Sequence, residues 1–401
     1  MISSIGSGVL STNSYKINGF SDFGADMTDK FKDFYDEFFN NGKIVITQDL
    51  IDESEKIFAQ FDLTKLVILS DAYFQNFTVV TEKLLLEQRY GMVFALWTRV
   101  LSFVKKWESK NKFNKIHKGT PFYFSAVSSI LQNDFDAALM SMHNALVEDK
   151  SNISGWDSTP GYFFMTLNDQ NINHYFKPFV DSMIGFIRDR LDGQGSEKGK
   201  YKKSYVKTKR GTLVYAQFRS KFLDNKNISE EIKYYFVYSI IRIWHLRSLN
   251  KNKVGDKLMA PLIFNHALFS LLLVIDDLMK TWNNPNNSRA YIREHIYEIS
   301  INENWILSSI KKEEYIADLN TNKFLESDFE KTCLDLIRYK GRVYKTKSNR
   351  VVGEMESDFV LVYGLRNFSA HNIKSQEILW KNYTEILQST LNCFFKIIEM
   401  L

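Results

Sequence analysis

Leu365-Arg366-Asn367-Phe368-Ser369-Ala370-His371 is the stretch on which the reading of this chain turns. It gathers a permanent cation, a neutral amide and a titratable imidazole in one short run. Phe359-Val360-Leu361-Val362-Tyr363 leads into it, and an apolar-periodic segment from Ser375 to Leu401 follows. The spacing predicts a helix over Glu356 to Asn372 and a second from Ser375 to Leu401, folded back as an antiparallel pair. On a straight helix Arg366 and His371 lie about 140° apart, while Asn367 and His371 share a face at i, i+4. The long Arg side chain can sweep toward the His, and Asn367 can orient the imidazole by a hydrogen bond.

These are the groups needed to cut RNA without a metal. A phosphodiester gains negative charge in its transition state, which a fixed guanidinium stabilises. The 2′-hydroxyl and the leaving 5′-oxygen need a group that exchanges a proton near neutral pH, and histidine is that group. One chain supplies one such His, whereas acid and base on opposite sides of phosphorus are easiest with two. A two-fold dimer would bring two copies of the helix together. Arg289 and His295, in Arg-Ala-Tyr-Ile-Arg-Glu-His, offer a similar Arg-to-His spacing, one residue longer, without the apolar lead-in and closing helix.

Outward from this stretch the pattern is helical. Only 5 Pro and 18 Gly punctuate 401 residues, while 44% of the chain is hydrophobic, with 32 Phe and 20 Tyr. Long helices follow from that scarcity of breakers. Phe31, Phe34, Tyr35, Phe38 and Phe39 recur at three and four residues, and the spacing continues through 50–61, 63–86 and 90–107. Between Phe122 and Lys150, Ala126, Phe135, Ala138, Met142, Ala145 and Leu146 fall where a tetratricopeptide-like hairpin places its packing residues, with Asn133-Asp134 at the turn. Further helices are predicted over 162–191, 230–249, 257–282 and 327–339, with a loop at Trp282 to Ser288 and a basic loop from Gly341 to Gly353. The expectation is an all-α protein. A helical sensing or regulatory region would occupy residues 1–200 and a helical bundle residues 201–401.

The boundary near residue 200 rests on a Gly-rich basic stretch. Lys198, Lys200, Lys202, Lys203, Lys207, Lys209 and Arg210 interleave there with Tyr201 and Tyr205. As a charge run it reads first as a solvated linker. As a binding surface its lysines would neutralise phosphates and its tyrosines would stack on bases. Lys202, Lys203 and Lys207, together with Lys374 beside the Arg–His segment, are the candidate RNA contacts.

Arg366, Asn367 and His371 resemble the Arg-x4-6-His motif of the HEPN superfamily, including the Asn that commonly follows the Arg. The resemblance covers about residues 250–401. It implies a helical bundle, a homodimer with a composite site, and a metal-independent endoribonuclease without a cofactor. His371 would then act as general base or acid, Arg366 would stabilise the phosphorane and Asn367 would orient. It further implies a toxin or an antiviral (abortive-infection) effector, with RNA as substrate and a regulatory or antitoxin partner. A Tyr two residues beyond the His, found in some nucleotide-modified members, is replaced here by Ile373. The alternative from another class is a non-catalytic helical RNA-binding or protein-interaction scaffold, in which Arg366 clamps a phosphate and His371 packs.

Other chemistry finds little footing. No Walker A loop, dinucleotide fingerprint or His-Glu-x-x-His pattern occurs. Asp276 and Asp277 point about 100° apart on a helix and read as the polar edge of a core helix rather than as ligands of one Mg²⁺. Glu354, Glu356 and Asp358 read as N-terminal anchors favoured by the helix dipole. Cys333 and Cys393 lack CxxC spacing, no basic leader precedes an apolar block, and the apolar run from Ala267 to Ile275 is short for a bilayer. A soluble cytoplasmic protein is expected, and a net charge of +5 is compatible with nucleic acid without requiring it.

Overall fold

The computed structural model describes residues 74, 77, 78, 81, 82, 84–110, 116–195, 203–251, 259–283, 291–321, 329–337, 352–371 and 376–401. The helices expected over 31–39 and 50–61, the stretch 198–202, and nearly all of the basic loop expected at 341–353 lie outside these residues, as does Lys374. Among the described residues every regular element is helical and no strand occurs, which is the all-α class expected.

In chain order the helices are α1 (Tyr90–Lys110), α2 (Gly119–Leu131), α3 (Phe135–Asn152), α4 (Pro160–Met165), α5 (Lys177–Leu191), α6 (Tyr215–Phe218), α7 (Glu230–Lys251), α8 (Met259–Asn283), α9 (Ile292–Asn302), α10 (Lys312–Thr321), α11 (Phe329–Ile337), α12 (Glu354–His371), α13 (Gln376–Lys381) and α14 (Tyr383–Met400). They form two compact units, residues 1–121 and 122–401. The position near residue 200 where a boundary was expected falls within the second unit. Helix α5 packs on α14, and Gln388 Nε2 donates to the Arg190 carbonyl at 3.0 Å, so residues on both sides of 200 share one core.

In the first unit α1 buries Val93, Trp97, Val100 and Val104 on one face. Trp97 packs edge-on to Phe74 at 5.8 Å and donates its indole N–H to Thr81 at 2.8 Å, which satisfies the one polar atom of a buried ring. Glu108 accepts from the backbone N–H of Ile116 and from Lys118, each at 2.8 Å.

The second unit is built around α8, whose neighbours are α7, α9, α12, α13 and α14. Phe264, Leu268, Leu271, Leu272, Ile275 and Leu278 are fully buried on it. By length and composition the stretch Met259–Trp282 could cross a membrane; here 61% of its most apolar window is buried against neighbouring helices. It is longer than the run from Ala267 to Ile275 that the sequence drew attention to. Phe218, Phe222, Phe236 and Phe394 fill the core between α6, α7 and α14, with Phe236 and Phe394 stacked at 4.5 Å.

The region expected as a tetratricopeptide-like hairpin is a helix–turn–helix. Asn133 takes a left-handed φ of 62° at the turn, and Asp134 caps α3 by accepting from the Ala137 N–H. Helix α3 packs on α4 and α7. Gly161 allows the first of these contacts, because a Cβ there would sit 3.0 Å from the Leu146 backbone nitrogen.

The closing segment, expected as one helix from Ser375, is two. Asn382 ends α13 by turning its side-chain amide onto the Ile378 carbonyl at 2.9 Å, where its backbone N–H also donates at 3.1 Å. Side-chain competition of this kind is why Asn interrupts helices.

Candidate active site

Helix α12 runs unbroken from Glu354 to His371, so Arg366, Asn367 and His371 belong to one rigid element. Arg366 and His371 are about 7.5 Å apart along its axis, a little over one turn. The helix is seated by its buried first half. Phe359, Val360, Leu361, Val362 and Leu365 are all at or below 2% exposure. Helix α12 lies against α8, α9, α11 and α14.

Its acidic start does more than complement the helix dipole. Glu356 is fully buried and accepts from the Tyr315 hydroxyl at 3.1 Å and from the Gly353 N–H at 3.3 Å. Asp358 faces Arg210, with Nε to Oδ2 at 2.6 Å, and accepts from Asn392 Nδ2 at 2.9 Å. Burial pushes the Asp358 carboxyl above the ordinary carboxylate range, with Arg210, Ser389 and Asn392 pulling against that rise. The same burial, reinforced by Asp358, pushes the Cys393 thiol well up. Of the three, Glu354 alone is exposed at the first turn, 3.8 Å from Arg210 Nη1.

At the other end, Arg366 is 35% exposed and reaches across to α8. Its Nη2 lies 3.5 Å from Asp276 Oδ2, while Asp276 is 8% exposed and also meets Lys280 Nζ at 3.5 Å. Asp277, next in sequence, is exposed and pairs with Lys280 at 2.9 Å. The two adjacent carboxylates thus differ in burial, 8% against 55% exposed, while both reach the Lys280 ammonium. Asn367 is half-buried, and His371 is the final residue of α12. His295, the imidazole of the second Arg-to-His match, is 1% exposed, out of reach of a substrate.

The described part of the basic stretch is held in place and encloses one of its two tyrosines. Tyr205 is fully buried, donates to Glu399 Oε2 at 2.8 Å and packs on Phe395. Burial and that carboxylate push its phenol far above the ordinary range. A ring enclosed in this way cannot stack on bases. The backbone from Ser204 to Thr212 is fastened too. Tyr205 N donates to Arg190 O and Val206 N to Leu191 O, both at 2.9 Å, and Thr212 N donates to Glu399 Oε1 at 2.7 Å. The described part is therefore a strap bound to α5 and α14, not a solvated linker. Lys203 is exposed, 3.6 Å from Glu385, and Lys207 is exposed with Nζ 3.4 Å from Gly193 O. Lys202 and Lys374 lie outside the described residues.

Two features escaped the sequence. The partner of Arg366 is Asp276, ninety residues earlier, and the cation facing Asp358 is Arg210, from a run that looked wholly solvent-directed. Their only sequence signal was an acidic residue set among the apolar positions of each helix. Among the described residues, no group of three or more His, Cys, Asp and Glu converges as a metal-ligand set. What the arrangement offers chemically is a half-exposed guanidinium, an amide and a histidine on one helix, backed by a buried carboxylate. Comparison with protein-family models, with curated proteins and with solved structures finds no match for the chain.

Proposed function

We propose that this protein is a metal-independent endoribonuclease of HEPN type, acting through α12. The observation that carries the reading is the seating of Arg366. Its guanidinium is half-exposed just beyond the buried Phe359, Val360, Leu361, Val362 and Leu365, braced by Asp276 and on the same helix as Asn367 and His371. In the proposed reaction the 2′-oxygen attacks phosphorus, its proton passes to a base, and the P–O5′ bond breaks as the leaving oxygen takes a proton. The products are a 2′,3′-cyclic phosphate and a free 5′-hydroxyl. Arg366 stabilises the charge on the phosphorane oxygens. His371 gives or takes the proton, Asn367 orients it, and the same helix of a second copy supplies the opposite proton-transfer group. A cytoplasmic toxin or antiviral role held in check by a partner is the biological setting proposed for such an activity.

The test is induced expression of wild type and His371→Ala in a bacterial host, with total RNA separated on a denaturing gel. Discrete fragments from wild type alone, unchanged by EDTA in the purified reaction, are expected. Equal cleavage by His371→Ala would sink the site. The bracing of Arg366 also favours a second reading, in which the Arg366–Asp276 pair only fastens α12 to α8 and the bundle is a non-catalytic RNA-binding or protein-interaction scaffold. Intact RNA in both strains would favour it.

A further inference from the structure

A guanidinium and a carboxylate are best matched as a fork, two parallel N–H···O bonds that fix both distance and plane. The contact between α12 and α8 is half of one. Arg366 Nη2 meets Asp276 Oδ2 at 3.5 Å, while Arg366 Nε and Asp276 Oδ1, the atoms that would make the second bond, are both buried without a hydrogen-bond partner. Lys280 shares Oδ2 at 3.5 Å and draws the carboxylate toward its own helix. An orphan donor and an orphan acceptor on two side chains already in contact are costly in a folded interior. Closing the fork, Nε onto Oδ1 beside Nη2 onto Oδ2, would relieve both together.

We infer that Asp276 is a positioning residue for Arg366: it sets the plane of the guanidinium so that the donors it does not engage face the scissile phosphate. The inference rests on the ribonuclease reading. Asp276 is itself too enclosed to touch substrate, so its effect passes through Arg366. A misplaced charge at a reacting centre costs about 100-fold in rate even when substrate still binds. The loss should therefore fall on kcat and leave binding nearly untouched.

Cleavage is measured with a 5′-labelled random-sequence oligoribonucleotide, and binding with its all-2′-deoxy counterpart, which lacks the attacking hydroxyl. Asp276→Asn keeps the side-chain volume and removes the charge. It is expected to lower kcat by about 100-fold with an unchanged dissociation constant for the deoxy probe. Asp276→Glu, which keeps the carboxylate, is expected to recover part of that loss. It also carries the test if Asp276→Asn loses its cooperative thermal transition. In an Arg366→Lys background, where a point charge replaces the fork, Asp276→Asn should cost far less. The exposed Asp277→Asn should match wild type. Wild-type kcat in both Asp276 variants, or an equal loss in the Arg366→Lys background, overturns the positioning role. If His371→Ala cleaves as well as wild type, the site proposed on α12 has failed, and absence of cleavage by wild type overturns both the ribonuclease reading and the positioning role.

Discussion

The substitution Arg210→Met removes the cation that faces Asp358 and keeps most of the aliphatic stem. The Arg210 side chain is 13% exposed and that of Asp358 is 3% exposed, so water cannot replace the lost partner. Taking one member from a buried pair costs about 3–5 kcal/mol, mostly because the remaining charge is stranded. Asn392 still donates to Asp358 Oδ2 at 2.9 Å, which places the loss near the lower figure, about 3 kcal/mol. For a unit of this size that is a fall in Tm of roughly 6–12 °C.

The pH dependence identifies the cause. Burial already lifts the Asp358 carboxyl, and without Arg210 it is lifted further. A carboxyl whose folded pKa lies above its unfolded value of about 3.9 binds its proton more tightly when folded. Stability is then gained as pH falls through the folded value, and the gain is complete below the unfolded one. The deficit of Arg210→Met should shrink between about pH 7 and pH 5, and Arg210→Met/Asp358→Asn should regain much of the loss at neutral pH. Urea unfolding of the full chain at two pH values measures all of this. A deficit under about 1 kcal/mol at pH 7, or one identical at both pH values, would refute the stranded-charge reasoning.

Two further outcomes follow from the same core. The Glu399 carboxyl is raised by burial but brought below the ordinary range by the Thr212 N–H, the Tyr205 and Thr212 hydroxyls and Lys396. A depressed carboxyl contributes stability that is present above its unfolded value of about 4.3 and lost as pH falls through the folded value. Glu399→Gln should therefore melt lower than wild type at neutral pH and flatten the acid limb in a pH series of thermal melts; an unchanged limb counts against the assignment. Phe236→Ala empties one side of the ring pair formed with Phe394, both fully buried. It should cost about 3–5 kcal/mol in urea unfolding, with a non-additive loss when Phe394→Ala is added.

The class of fold was legible because helix breakers are scarce and apolar residues recur at three and four. The expected start of α12 at Glu356 falls two residues inside the observed one, and α7 and α8 are placed to within a turn. Helix α9 was overlooked although Ile292, Ile296 and Ile299 carry the right spacing and are buried. Short helices with mixed composition give a weak periodic signal. The basic stretch was misread for a different reason. Its local composition is that of a solvated segment, and the burial of Tyr205 is decided by Glu399, 194 residues away. Asp276 was legible as the polar edge of a core helix, but its partner on α12 was not, since no local pattern encodes a contact between helices.

The contacts that seat α12 join distant parts of the chain: Arg366 to Asp276 across 90 residues, Asp358 to Arg210 across 148, and its neighbour α14 to α5 through Gln388 and Arg190 across 198. Loops of that length close late relative to the helical turns they connect, because their chain entropy is spent before any contact repays it. The α7–α8 pair can form from neighbouring sequence, whereas the end of α12 acquires its carboxylate brace only with the long-range closures. The setting of Arg366 is thus a property of the assembled bundle rather than of α12 alone.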